Sequence, residues 1–235
     1  MKNVKLTYLA HSGFVAETEN YIFVFDYFED KAGVVEEYVR YSNKKIWFFV
    51  THCHADHFNP EIANFSDIAS RYVVHDDVKL KKIKPEQLTS MNVYDTFIDD
   101  GVRVTMFGST DEGGSFFVEA DTVKLFHAGD LNWWYWLDES EQWNQNRKTM
   151  YAQELKKMEG LTVDVAFFPV DSRMEEKREW GVMEFLNHVT VKNCLVPMHY
   201  FGTPWEPSLI FQAKHEELPL WIPKQPGNNI LIHLL

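Results

Sequence analysis

The segment at residues 46–60 constrains the fold of this chain more than any other. It opens with the apolar, β-prone run IWFFV and continues as THCHADHFNP. The run predicts a buried strand, and the residues after it include three histidines and an aspartate, whose side chains suit zinc, iron or manganese. We predict that the strand ends at a metal site, because these polar side chains would otherwise need other partners. The four residues are His52, His54, Asp56 and His57.

Strands dominate the predicted structure of the first half of the chain, and strands alternate with helices in the second half. The predicted strands are residues 4–10, 13–18, 21–27, 46–50, 71–74, 93–98, 102–107, 115–119, 123–128, 163–170, 194–198 and 229–235. The predicted helices are residues 60–69, with Asn59 as N-cap, 140–159, 178–188 and 207–218. Since no internal repeat or flexible linker interrupts this pattern, it predicts one α/β domain over residues 1–235.

The overall charge limits the classes of partner. The chain of 235 residues carries 23 basic and 35 acidic side chains, a formal charge of −12. Such a field repels nucleic acid and anionic lipid, so we expect a small-molecule substrate, no nucleic acid and no membrane. The chain has two cysteines and no apolar run of the ~20 residues that span a membrane, which predicts a cytoplasmic protein. A homo-oligomer is compatible with these features.

Two further polar residues follow predicted strands. Asp130 ends the segment HAGD, after the strand at 123–128, and His199 follows the strand at 194–198. Catalytic groups collect at strand ends in α/β sheets, because the strand holds the adjoining loop rigidly. Three strand ends that each carry metal-ligand side chains therefore predict one shared site rather than three unrelated polar residues.

The motif THCHADH at residues 51–57, HAGD at 127–130 and the late strand before His199 resemble the metallo-β-lactamase-fold hydrolase superfamily. The opening LTYLAHSGF at residues 6–14 is similar to its lactonase-like branch, which includes ascorbate-6-phosphate lactonase. The resemblance covers nearly the whole chain and implies a four-layer αββα sandwich. It also implies one or two divalent metal ions, with zinc, manganese or iron as the candidates.

The resemblance further implies two adjacent ions and assigns ligands to each. Asp130 would bridge the two ions. The first ion would be held by His52 and His54. The second ion would be held by Asp56, His57 and His199.

One segment departs from the family pattern, which usually places a further histidine between the first motif and HAGD. Here residues 107–116 read FGSTDEGGSF, without a histidine. Asp111 is the best-placed substitute, with Thr110 and Glu112 as neighbouring candidates. A carboxylate ligand would favour manganese or iron over zinc. Alternatively, Asp111 is a turn residue in a glycine-rich loop, and the first site is weak or empty.

Other residues are candidates for the surroundings of the metals. His11 matches the early histidine of the lactonase-like branch and is expected to contact a ligand or the substrate; a turn histidine between strands is the alternative. The aromatic run LNWWYWLDES at residues 131–140, together with Trp205, lines a pocket or packs in the core. Arg173 and Lys177 are expected on the solvated surface rather than against an anionic substrate.

Together these features predict a metal-dependent hydrolase in which Asp56 and His11 assist catalysis. A metal-bound hydroxide, formed because zinc lowers the pKa of bound water to about 7, would attack a small ester, lactone or phosphoester. Asp56 would orient that water and carry its proton. Two alternatives stay open: a nuclease or phosphodiesterase, and a non-catalytic metal-binding protein with a degenerate first site. The fold alone does not decide among them.

Overall fold

The computed structural model describes residues 2–201 and 203–234, and within them thirteen strands form two mixed sheets. The strands are β1 (Asn3–Ala10), β2 (Gly13–Glu17), β3 (Tyr21–Phe25), β4 (Lys45–Val50), β5 (Arg71–His75), β6 (Leu88–Met91), β7 (Thr96–Asp99), β8 (Val102–Gly108), β9 (Gly114–Ala120), β10 (Val123–His127), β11 (Thr162–Pro169), β12 (Thr190–Met198) and β13 (Asn229–His233). The helices are α1 (Val34–Tyr41), α2 (Glu141–Lys157), α3 (Trp180–His188) and α4 (Leu209–Lys214). Single 3₁₀ segments cover Pro60–Phe65, Pro85–Gln87 and Ser172–Lys177.

The order of the strands gathers their carboxyl ends. The seven-stranded sheet has the order β13-β1-β2-β3-β4-β5-β6, and the six-stranded sheet has the order β12-β11-β10-β9-β8-β7. Strands β3 to β6 are mutually parallel, as are β10 to β12, whereas the other neighbours are antiparallel. Because parallel strands end at the same edge, the loops that leave them lie side by side.

Strands β3 and β4 contribute to two hydrophobic cores at once. In the sequence YIFVF of β3, the first, third and fifth residues enter the core between the sheets, and the other two enter a smaller core on the outer face. In β4, Trp47 and Phe49 enter the inner core, whereas Phe48 enters the outer one. Side chains alternate because the strand has a period of two, and burial on both faces accounts for the continuous apolar sequence.

Helices cover the outer faces of both sheets. Val35 of α1 belongs to the outer core of the seven-stranded sheet. On the other side, the ring of Phe185 in α3 lies 5.3 Å from Phe126 and 4.7 Å from Phe168, between ring centroids. The order helix, sheet, sheet, helix is the four-layer αββα sandwich that the resemblance implied. Over the described ranges, no helix combines the length and the apolar character needed to cross a membrane.

The sequence patterns missed α1 and β6 and misjudged one helix. Helix α1 has no side-chain cap at Gly33; instead, the carboxylate of Asp30 accepts bonds from the backbone N–H groups of Val34 and Val35. The helical start signal therefore lies in the preceding loop. The predicted helix at 60–69 is a 3₁₀ segment that ends at Phe65, although Asn59 caps it as expected. After Phe65 the chain continues as a turn and enters β5 at Arg71.

Several predicted boundaries also move. The strand predicted at 93–98 begins at Thr96, because Tyr94 has a positive φ of 73°. The helix predicted from residue 178 begins at Trp180, after a 3₁₀ segment. The helix predicted from residue 207 begins after Ser208, whose side chain caps it. Residue 235, the end of the last predicted strand, lies outside the described residues.

Candidate metal centre

The strand ends bring the predicted site residues together at one edge of the sandwich. His11 follows β1, the histidine motif follows β4, Asp130 follows β10 and His199 follows β12. The backbone N–H of His199 donates to the carbonyl oxygen of His11 at 3.3 Å. That bond joins the seven-stranded sheet to the six-stranded sheet directly at the centre.

Two groups of side chains could each hold a metal ion, because the ligand atoms within each group lie within 4.8 Å of one another. The four-donor set is His11, Asp56, His57 and His199. The three-donor set is His52, His54 and Asp130. His11, expected only near the ligands, thus lies among them.

Asp130 lies between the two sets. One carboxylate oxygen, Oδ1, is 3.1 Å from Nε2 of His57 and 3.4 Å from Nε2 of His199. The other, Oδ2, is 3.5 Å from Nε2 of His52. A single carboxylate therefore contacts ligand atoms of both sets, as a bridging ligand must.

Several buried atoms at the centre have no hydrogen-bond partner. They are Nε2 of His11, His52 and His57 and Oδ1 of Asp130. Leaving such atoms buried and unsatisfied costs about 1–3 kcal/mol each. Nitrogen and oxygen atoms that lie close together without bonding to one another could hold a common cation, so the residues fit a metal ion of the kind that such ligands bind.

Two buried carboxylates orient the imidazoles of the four-donor set. Asp26 is fully buried; it lies 2.7 Å from Nδ1 of His57 and accepts bonds from the backbone and hydroxyl of Thr51 at 2.8 and 2.7 Å. Asp171 lies 3.0 Å from Nδ1 of His199. A carboxylate on Nδ1 leaves Nε2 free to face the centre and increases its basicity.

Sequence reasoning did not single out Asp26 and Asp171. Asp26 directly follows β3, and Asp171 follows β11 after one residue. The rule that drew attention to Asp130 and His199, a polar residue at the end of an apolar strand, applies to Asp171, which directly follows the strand predicted at 163–170. Asp26 lies inside the strand predicted at 21–27, so only the observed end of β3 at Phe25 reveals its position.

The carboxylates and imidazoles perturb one another. Burial alone would lower the pKa of His57, but Asp130 and Asp26 together raise it well above its usual value. Burial would raise the pKa of Asp130, but His57 and the neighbouring imidazoles hold it well below its usual range. Burial lowers the pKa of His52 to about 4. The imidazole of His11, whose Nε2 lies 3.4 Å from Oδ2 of Asp56, lowers the pKa of Asp56.

The backbone adopts unusual conformations around the centre. His11, Asp26 and His199 have positive φ values of 53°, 42° and 60°. Residues other than glycine rarely adopt this left-handed conformation, and it concentrates at functional sites. The turns that end β1, β3 and β12 therefore aim these side chains at one point.

The glycine-rich loop between β8 and β9 packs directly on the histidine motif. Gly113 has φ 68°, and a Cβ atom there would lie 2.1 Å from the carbonyl oxygen of Thr51 and 2.4 Å from Cβ of His52. Only glycine permits this approach. Asp111 lies on the same loop beside the three-donor set but is not one of its members. Asp111 is exposed, but the loop partly desolvates its carboxylate; this desolvation, and then the charge of Asp130, raises the pKa of Asp111.

The other two candidates on this loop lie differently. Thr110 is buried and its hydroxyl donates to the carbonyl oxygen of Asn132 at 2.6 Å, so it ties the loop to the segment after Asp130. Glu112 is exposed. Neither belongs to a donor set in the described part of the chain.

A cavity of about 230 Å³ opens beside both donor sets. Trp134 and Trp136 of the predicted aromatic run line it, with their rings stacked 5.6 Å apart, whereas Trp133 packs against Trp180 outside the cavity. The other lining residues are His54, Asp56, Asp111, Asp130, Trp143, Arg147, Arg173, His199 and Phe201. Trp205 is not a lining residue: it is buried and donates to Glu179 at 2.8 Å.

The two basic residues after β11 differ in position. Arg173 was expected on the solvated surface, but its guanidinium group lines the cavity and pairs with Asp171. Lys177 pairs with Glu176 at 2.7 Å and does not line the cavity. Two of the larger hollows, of about 350 and 660 Å³, lie elsewhere around Lys5, and no histidine is among their lining residues.

Comparison with solved structures identifies the architecture. The chain superposes on Igni18, a metallo hydrolase from Ignicoccus hospitalis, with a TM-score of 0.67 and 19% identity over 98% of this chain and 99% of that one. It superposes on YhfI from Bacillus subtilis, a metallo-β-lactamase fold protein, with a TM-score of 0.57 and 10% identity over 98% and 100%. No protein-family model and no curated protein matches the chain.

A third structure shows a different chemistry on the same architecture. CmlA from Streptomyces venezuelae, a diiron β-hydroxylase, matches with a TM-score of 0.57 and 12% identity over 99% of this chain and 54% of that one. Together with the two sheets and their flanking helices, these similarities show that the chain has the metallo-β-lactamase fold.

Proposed function

We propose that the protein is a metal-dependent hydrolase that acts on a small ester, lactone or phosphoester. The observation that carries this proposal is the convergence of two donor sets, with unpaired buried ligand atoms, on the wall of one cavity. The similarity to a metallo hydrolase and the lactonase-like opening of the sequence support the same function. The negative charge of the chain favours a small substrate over a nucleic acid.

The donor sets provide the chemistry that such a reaction needs. The four-donor set would hold one divalent ion and the three-donor set a second, with Asp130 between them. A divalent cation supplies, when bound, a water of lowered pKa and a Lewis acid for the scissile bond. Zinc, manganese and iron all accept mixed imidazole and carboxylate ligands.

The protein's own groups would position water and move protons. Asp56 lines the cavity, and its lowered pKa keeps it ionised, so Oδ2 can accept a hydrogen bond from a water and orient it. Because the same shift makes Asp56 a weak base, it would hold the proton of that water only in transit. His11 lies 3.4 Å from that oxygen and holds the carboxylate in place. Trp134 and Trp136 give the cavity an apolar wall that limits the entry of bulk water.

Asp111 is proposed as a further ligand of the three-donor set. It lies on the cavity wall with His54, and its raised pKa reflects partial desolvation and repulsion from the charge of Asp130. A cation beside both carboxylates would offset that repulsion. A second carboxylate ligand would favour manganese or iron in this set.

A cytoplasmic location is part of the proposal. Cys53 is exposed and Cys194 is buried, and neither forms a disulfide. Unpaired thiols suit a reducing compartment.

Elemental analysis followed by a hydrolysis screen tests the function. The purified protein is expected to retain one or two divalent ions per chain and to hydrolyse members of a panel of lactones, carboxylic esters and phosphoesters. Asp130→Ala should lose both properties while keeping the circular dichroism spectrum of the wild type. Two bound ions without hydrolysis of any panel member would contradict the proposal, and one ion without hydrolysis would favour the non-catalytic alternative.

A further inference from the structure

The cavity beside the donor sets contains positive charge that the metal chemistry does not use. The chain has a formal charge of −12, and three of the lining residues are aspartates. Nevertheless, Arg147 and Arg173 also line the cavity. Arginine in a small, partly apolar cavity is a common means of recognising carboxylate and phosphate groups.

The two arginines are held differently. Arg173 is paired with Asp171 through both Nε and Nη2, and its guanidinium carbon lies 3.8 Å from the ring of Phe201. Its charge is therefore already balanced by a carboxylate. Within residues 2–201 and 203–234, Arg147 forms no salt bridge; the nearby carboxylate is that of Asp111 on the same cavity wall, whose pKa, raised by desolvation, Arg147 lowers in part without pairing with it.

Local contacts also fix the position of Arg147. It lies in the first half of α2, the helix that the side chain of Ser140 caps at its N-terminus. One nitrogen, Nη1, donates to the carbonyl oxygen of Thr110, and the guanidinium carbon lies 4.6 Å from the centroid of the Trp143 ring. These contacts order the planar group without neutralising it. A preorganised guanidinium group loses less side-chain entropy when a ligand binds.

We propose that Arg147 binds a carboxylate or phosphate group of the substrate and so selects anionic esters or lactones. This inference rests on the proposed function, because it names the substrate class of the same cavity. The volume of about 230 Å³ suits a small molecule. The uncharged part of that molecule would lie against Trp134 and Trp136, and its anionic group would bind the remaining donors of Arg147.

A kinetic comparison tests the selection. The substrates are three versions of one hydrolysable lactone, carrying a free carboxylate, a phosphate monoester or a neutral methyl ester. Arg147→Gln should raise KM for the preferred anionic version about tenfold or more, since hydrogen bonds to charged groups are worth about 1.5–3 kcal/mol. KM of Arg147→Gln for the neutral version should stay within about twofold of the wild-type value. For the anionic version, KM of Arg147→Lys should lie between the values of the wild type and Arg147→Gln. The anionic version that is more strongly affected identifies the group that is recognised.

The matched control is Lys148→Gln, which removes the same charge from the neighbouring residue of α2. Lys148 is exposed, lies 4.9 Å from the ring of Trp133 and does not line the cavity. This variant should leave KM unchanged for all three substrates. Equal losses on anionic and neutral substrates in Arg147→Gln, with normal metal content, would overturn the inference.

A binding measurement separates this inference from the proposed function. The affinities of the metal-loaded wild type, Arg147→Gln and Lys148→Gln for inorganic phosphate and succinate are measured by calorimetry. Weaker binding in Arg147→Gln alone would support anion recognition even if the wild type hydrolysed nothing. Hydrolysis by the wild type, combined with equal affinities in all three proteins, would support the hydrolase and overturn the role of Arg147.

Discussion

The two donor sets differ in how well the surrounding residues support their ligands. In the four-donor set, His57 and His199 each have a buried carboxylate behind the ring, and three of the four residues come from separate strand ends. In the three-donor set, His54 is exposed and the neighbouring loop carries an aspartate where a histidine was expected. The comparison teaches that a metal site's strength depends on the residues that hold its ligands as much as on the ligands themselves.

Removing the residue between the sets should have the largest effect. Asp130→Ala takes away contacts to His52, His57 and His199, so both ions should be lost. His57→Ala should release the ion of the four-donor set and leave the three-donor set partly occupied. Metal content by elemental analysis distinguishes these outcomes. His75→Ala, which changes a histidine outside both sets, serves as the control; equal metal content in Asp130→Ala and wild type would contradict the assignment.

Removing the carboxylate charge that supports the His199 ring should have the next largest effect. Asp171→Asn removes the charge next to Nδ1 of His199, so affinity at the four-donor set should fall about 10–100-fold, with the three-donor set unchanged. Titration of metal-free protein with zinc in the presence of a competing chelator measures both affinities. Asp164→Asn is the matched control, because this carboxylate of β11 bonds the backbone of Lys124 instead. If the two variants had equal affinities, Asp171 would have no supporting role.

His52 of the three-donor set and His57 of the four-donor set should respond to acid in opposite directions when metal is absent. The pKa of His52 is lowered to about 4, so its contribution to stability is complete above pH ~6.5 and is lost as the pH falls towards 4. The pKa of His57 is raised, so its contribution is present below pH ~6.5 and is lost only as the pH rises. When the pH is lowered from 7 to 5, protonation linked to His52 should reduce the free energy of unfolding by about 2 kcal/mol.

Urea denaturation of metal-free wild type, His52→Gln and His57→Gln at pH 7 and pH 5 measures these contributions. Acid should destabilise His52→Gln less than the wild type and His57→Gln more. The same pH response in all three proteins would show that neither imidazole has a shifted pKa.

Replacing the aspartate of the loop should have a smaller effect, limited to one set. Asp111→Ala should weaken metal affinity at the three-donor set about tenfold and leave the affinity of the four-donor set unchanged. Tenfold is the lower end of the range of about 10–100-fold expected when a residue that supports a metal site is lost. Glu112→Ala, at the exposed neighbouring position, is the control. The same titration with a competing chelator measures both affinities. Unchanged metal affinity at both sets would show that Asp111 is a turn residue and not a ligand.

The smallest effect is expected at Cys53, which lies inside the histidine motif. It is exposed and belongs to neither donor set. Cys53→Ala should therefore change metal content and affinity by less than about twofold, well below the effect of losing even a supporting contact. A clear loss of metal in this variant would add a thiolate ligand and change the expected metal preference.

The sequence by itself determined the residue types of the centre and their strand-end positions. A buried strand followed by clustered imidazoles is a local pattern, and so are Asp130 and His199 after their strands. The fold class followed from the same patterns and from the resemblance. Local patterns succeed here because a strand and the loop after it are neighbours in the chain.

Only the tertiary structure decided which of these residues meet. His11 joins the four-donor set because β1 and β12 end side by side, and Asp26 supports His57 because β3 pairs with β4. Arg147 reaches the cavity because α2 packs beside the loop at Thr110. Distances between residues remote in the chain depend on how sheets stack and strands pair, and no local sequence pattern contains them.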